Sequence, residues 1–113
     1  MGDSYQELRR RGGVAVIRPT GDLDAYTAVG FRTHLHDATG GEARLVVVDL
    51  TAVTFIDSAG LGALVGAHRR MRERRGLLRI VRPPRLVERA FELTGLDEVL
   101  DLCDDRDSAL AEP

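Results

Sequence analysis

Hydrophobic positions in this chain fall into short continuous runs that alternate with segments of helical spacing. Val14-Ala15-Val16-Ile17 is a β-branched run of strand length, separated from the weakly alternating residues 5–8 by Gly12-Gly13. Two such runs around a two-glycine turn predict a β-hairpin with an N-terminal edge strand. Thr20-Gly21-Asp22-Leu23-Asp24 then carries turn chemistry, with Asp24 placed as a helix N-cap. From 25 to 38, Ala28, Phe31, Leu35 and Ala38 recur at spacings of three, four and three, one face of an amphipathic helix closed by Gly40-Gly41. Leu45-Val46-Val47-Val48 and Leu50 predict a strand covered on both faces, because apolar residues occupy consecutive positions. Residues 58–75 predict a second helix with Leu61, Leu64, Val65, His68 and Met71 on one side, and residues 77–81 a further strand. Pro83-Pro84 opens a third helix with Leu86, Val87, Ala90, Phe91 and Leu93 as its stripe and Gly95 as its stop. Residues 99–102 predict a brief last strand, and Asp107-Ser108 a cap for a terminal helical turn.

The predicted order is β-β-α-β-α-β-α-β. Strands alternating with helices imply an α/β fold, a mixed and largely parallel sheet of four or five strands flanked by three or four helices and joined by right-handed crossovers. With no internal repeat, low-complexity stretch or linker, residues 1–113 read as one domain. That length suffices for a core without metal or disulfide staples.

Composition narrows the function classes. Sixteen basic residues, all arginine, against eighteen acidic ones give a net charge of −2, unlike a generic nucleic-acid binder. The single cysteine, Cys103, excludes an internal disulfide and a cysteine-rich zinc site. No segment approaches the ~18 apolar residues that span a bilayer, and residues 1–6 lack both a signal-peptide core and the Ser or Thr of a myristoylation signal. The expectation is a cytoplasmic domain without cofactor or metal.

The chemistry concentrates in Thr54-Phe55-Ile56-Asp57-Ser58-Ala59-Gly60-Leu61-Gly62, where an acid, a hydroxyl and two glycines meet a helix start. Free N–H groups and a partial positive charge characterise such a start, so the amides of Gly60, Leu61 and Gly62 are expected near the Ser58 hydroxyl. The plainer alternative is that Asp57 or Ser58 caps the helix and the glycines serve packing. Each glycine costs roughly 1 kcal/mol relative to Ala inside a helix, which argues that something approaches the first turn closely. Gly60, Gly62 and Gly66 are one residue too widely spaced for a dinucleotide fingerprint, and a P-loop needs a lysine that the chain lacks. A serine-hydrolase elbow would require glycine at Ile56, and only His68 follows Ser58 as a base. His34 and His36 diverge by about 200° on a helix and cannot chelate one ion. Arg69, Arg70, Arg72, Arg74 and Arg75 read as a solvated helix end rather than a nucleic-acid patch. Cys103 reads as a small hydrophobe.

Asp57-Ser58-Ala59-Gly60-Leu61-Gly62, preceded by the strand at 45–50 and by Gly21-Asp22-Leu23-Asp24, closely resembles the STAS domain, and more narrowly the bacterial anti-sigma factor antagonists. Pro84, Val87, Phe91 and Thr94-Gly95-Leu96 extend the likeness through the third helix, so it covers nearly the whole chain. The resemblance implies a non-enzymatic partner-switching protein. Ser58 would be phosphorylated by the partner anti-sigma factor, an ATP-dependent serine kinase, and reset by a phosphatase. Unphosphorylated, such a protein binds the anti-sigma factor and frees the sigma factor. Carried onto this sequence, the partner-binding positions are Asp22, Asp24, Asp57, Ser58, Ala59, Gly60, Leu61 and Gly62. Many relatives carry Ser or Thr after the acceptor where this chain has Ala59, so a fallback acceptor is missing. An unphosphorylated STAS adaptor in a transporter or signalling assembly is the alternative, with a small serine hydrolase more remote, and a homodimer stays open. Neither nucleic acid nor membrane is an expected partner.

Overall fold

A computed structural model describes the backbone of residues 5–111 and the side chains of residues 12–111. Gly12 and Gly13 both adopt positive φ, at 59° and 82°, the conformation a two-residue hairpin turn demands and side chains resist. They join β1 (Tyr5–Arg11) to β2 (Val14–Pro19) in antiparallel register, with an irregularity between Glu7 and Arg9. β2 pairs in parallel with β4 (Leu45–Asp49), β4 with β6 (Leu77–Val81) and β6 with β7 (Asp101–Cys103). The sheet order is β1-β2-β4-β6-β7, mixed and largely parallel as the alternation of elements requires. A separate parallel pair, β3 (Gly21–Leu23) and β5 (Val53–Ile56), stands beside it.

Four α-helices, α1 (Ala28–Gly40), α2 (Ser58–Glu73), α3 (Arg85–Thr94) and α4 (Arg106–Leu110), and a 3-10 turn at Leu96–Glu98 complete the described residues. Every residue of β4 is buried, as expected of a central strand with both faces covered. Ile17, Val46, Val48 and Ile80 pack with Phe31, Leu35, Leu64, Met71 and Phe91 in one large core. On the other face, Val16, Leu45, Val47 and Val81 lie with Ala109 of α4.

Several expectations are corrected. The turn at 20–24 contains β3, and β5 was not foreseen. Asp24 does cap a turn, accepting the Tyr26 and Thr27 N–H groups at 3.0 Å, but α1 begins at Ala28 instead of Ala25. The last strand lies at Asp101–Cys103, and Asp105, not Asp107 or Ser108, caps α4 through the Ser108 N–H at 2.8 Å. In α3 only Val87 and Phe91 are buried; Leu86 and Leu93 lie about 100° or more from them around the helix and face solvent. In α2 the buried face runs through Gly60, Leu61, Ala63, Leu64, Ala67 and Met71, leaving Val65 and His68 half-buried. The arginine run is only partly solvated. Arg70 Nε donates to Thr39 Oγ1 at 2.9 Å, and the Arg74 guanidinium donates to the carbonyls of Thr39 and Gly41. Arg74, just past α2, thus caps the end of α1, and Arg70 ties the Thr39 side chain to α2.

Candidate functional site

The site is built on the β3–β5 pair. Leu23 is in register with Ile56, and the Asp57 N–H donates to the Leu23 carbonyl at 3.1 Å. Asp24 and Asp57 therefore leave the carboxyl ends of two neighbouring parallel strands. Asp22 projects from β3 and accepts the Thr54 hydroxyl at 2.7 Å, tying the two strands by their side chains as well. Hydrogen bonds from the Thr27 N–H, above all, hold the Asp24 carboxyl below the usual carboxylate value, partly opposed by desolvation.

At Asp57 the chain is extended, with φ −119° and ψ −169°, and the helix starts at the next residue. Asp57 Oδ1 accepts the N–H of Ala59 at 2.9 Å and of Gly60 at 3.4 Å, while the Asp57 carbonyl accepts the Leu61 N–H at 3.0 Å. This is an acidic N-cap at the positive end of α2. The amides of Gly60 and Leu61, expected near the Ser58 hydroxyl, are committed to Asp57 instead. Ser58 itself is exposed, and its hydroxyl has no hydrogen-bond partner among the described residues.

The motif glycines differ. A Cβ on Gly60 would lie 2.8 Å from both the Leu23 carbonyl oxygen and Ile56 Cγ1, so the approaching groups are the chain's own strands. Gly62 is exposed, and a Cβ there would meet nothing within 4 Å. Leu61 belongs to the core, and Ala59 is half-buried. Of the expected set, Asp22, Asp24, Asp57, Ser58 and Gly62 offer surface, whereas Gly60 and Leu61 shape the scaffold. His68, the base considered for Ser58, is ten residues along the same helix, about 15 Å away. Among the described residues no cluster of His, Cys, Asp or Glu could hold a metal, and no helix is long and apolar enough to cross a membrane.

Residues 5–109 match the STAS domain family, nearly the full length of the chain. The chain belongs to that family. This STAS domain is 35% identical over 82 residues to the anti-sigma-B factor antagonist of Listeria monocytogenes, covering 73% of this chain and 72% of the relative. It is 28% identical over 109 residues to the anti-sigma F factor antagonist of Paenibacillus polymyxa, covering 94% and 92%. The crystal structure of an anti-sigma factor antagonist from Mycobacterium paratuberculosis superposes with a TM-score of 0.86 at 28% identity, over 97% of this chain and 94% of that one.

Sequence reasoning missed the apolar surface of the STAS domain around this motif. Tyr26 is 89% exposed two residues after Asp24, and Phe55 is 48% exposed three residues before Ser58. Leu86, 85% exposed, lines a depression of about 320 Å³ with Phe55, Thr54, Val87 and Ala90 between β5 and α3. The signal available in the sequence was the placement of Leu86 beside, not on, the Val87–Phe91 stripe.

Proposed function

We propose that this STAS domain is an anti-sigma factor antagonist that works in the bacterial cytoplasm and is switched by phosphorylation of Ser58. The observation that carries the reading is the Ser58 hydroxyl, exposed, unbonded among the described residues and held at the first residue of α2 by an Asp57 cap. The names of the curated relatives support the partner class. Unphosphorylated, the domain binds an anti-sigma factor across Asp22, Asp24, Asp57, Ser58 and Gly62, flanked by Tyr26 and Phe55. Exposed aromatics of this kind are the residues that anchor protein interfaces. The anti-sigma factor, as a serine kinase, transfers the γ-phosphoryl group of ATP to the Ser58 oxygen; the hydroxyl proton and ADP leave, and a phosphatase later hydrolyses the ester.

The phosphoryl group adds roughly −1.5 to −2 charge. Because Asp57 already occupies the first amides of α2, that charge is left facing outward instead of being absorbed by the helix end. Each partner carboxylate within ~6–7 Å then costs about 2–3 kcal/mol at an effective dielectric of ~20, roughly two orders of magnitude in affinity. The test is calorimetric binding to the cognate anti-sigma factor. Ser58→Ala should bind irrespective of ATP, and Ser58→Glu should bind at least about tenfold more weakly. Equal affinities for the two variants would overturn the switch. If mass spectrometry finds no phosphate on Ser58 after incubation with the partner and ATP, the unphosphorylated adaptor takes its place.

A further inference from the structure

The far end of α2 carries a second feature, independent of Ser58. His68 and Arg72 both line two depressions of about 270 Å³ each, which therefore run together as one groove between α2 and the β7 edge of the sheet. Val65, Arg69 and Val99 complete the first depression; Arg75, Leu77 and Asp101 border the second. Arg70 and Arg74 are spent on α1, but the side chains of Arg69, Arg72 and Arg75 make no ion pair and no hydrogen bond among the described residues. The facing acid, Asp101, is within 3.5 Å of Arg79 Nε, so its charge is already partnered. The His68 ring lines both depressions, with its Nδ1 buried and without a hydrogen-bond partner.

Arg75 adds a separate observation. Its φ of 62° is the only positive value at a non-glycine position among the described residues. The Arg75 N–H donates to Arg72 O at 3.0 Å and the Gly76 N–H to Met71 O at 2.7 Å, which is the helix ending that glycine ordinarily occupies at this position. A left-handed arginine at the mouth of a cationic groove is strain kept where its side chain has a use.

We propose that this groove binds a small phosphoryl-bearing anion, gripped by Arg69, Arg72 and Arg75 with His68 at its floor. Arg69 and Arg72, three residues apart, are neighbours on the helix surface, and Arg75 borders the same groove from just past the helix end; a phosphoryl group accepts several of their paired N–H bonds at once. The carbonyl end of the helix dipole opposes an anion here, but the Met71 and Arg72 carbonyls are already bonded and three whole charges outweigh a partial one. Val65 and Val99 give the ligand's uncharged part an apolar wall.

The probe is inorganic pyrophosphate, titrated at low ionic strength into the full chain while backbone amides are followed by NMR. The expected result is saturable shifts confined to residues 65–76 and 99–101. Arg72→Gln should weaken binding at least about tenfold, the value of one charge-assisted contact, with Arg89→Gln on α3 unchanged. Arg75→Gly should also weaken it while raising the melting temperature, a combination that a helix end serving only the fold would not give. Absence of saturable shifts, shifts centred on residues 57–62, or undiminished binding by Arg72→Gln would overturn the proposal. So would binding of a poly-glutamate peptide that pyrophosphate does not displace, which would assign the groove to an acidic protein segment.

Discussion

Gly60 and Gly62 point about 200° apart around the first turns of α2, and only one of them is required by the fold. A Cβ on Gly60 would press on the Leu23 carbonyl, and backbone held in the β3–β5 pair cannot retreat as a flexible side chain could. Gly60→Ala is therefore expected to destabilise the domain by about 1–3 kcal/mol in chemical denaturation. Gly62 has open space around it, so Gly62→Ala should stabilise the domain by roughly 0.5–1 kcal/mol through helix propensity. If the anti-sigma factor closes over this turn, the same variant binds more weakly in calorimetry despite its greater stability. The sequence exposed the acid–hydroxyl–glycine cluster but not this division of labour. The neighbour that makes Gly60 obligatory, Leu23, lies far back along the chain, beyond the reach of any local pattern.

At the scale of elements, α4 is too short to hold itself and is fixed by what it touches. Asp49, only 4% exposed at the end of β4, accepts both the N–H and the hydroxyl of Thr51 on Oδ1, and two nitrogens of Arg106 on Oδ2. Arg79 adds bonds to the carbonyls of Ala109 and Ala111, at 3.0 and 2.7 Å. Together these seat Ala109 over the second face of the sheet. Asp49→Asn should cost about 2–3 kcal/mol, less than the ~3–5 of a fully buried pair because the Arg106 side chain is 38% exposed. Hydrogen exchange should localise the loss to residues 106–111. The strand that carries Asp49 was legible from its apolar run. Its partner was not, since Arg106 is 57 residues away.

For the whole molecule, the largely parallel sheet and the main helices were legible because each rests on a run or stripe that periodicity reports. The β3–β5 pair was not. Thr20-Gly21-Asp22 signals a turn, and β5 buries only its two ends while exposing Thr54 and Phe55, a pattern without strand alternation. The titrating groups give the molecule a two-step response to acid. Burial, then the Arg72 charge, lowers the His68 imidazole from its usual 6.5, so the unfolded chain takes up that proton first and stability begins to fall as pH drops through about 6.5. Burial alone would raise Asp49, but the bonds from Thr51 and then Arg106 prevail and hold it below its usual 3.8. Its contribution is present above that value and is lost as pH falls through the lower folded one, with Asp24 and Asp105 acting in the same direction. Melting temperatures measured across pH 3–8 should show both steps, and His68→Gln should remove only the upper one.

The guanidinium bonds from α2 onto Thr39 and Gly41 mean that the final turn of α1 borrows its ending from a segment more than thirty residues downstream. During synthesis α1 therefore leaves the ribosome before the groups that terminate it have emerged. The last turn of α1 gains its final carbonyl bonds only once Arg74 emerges.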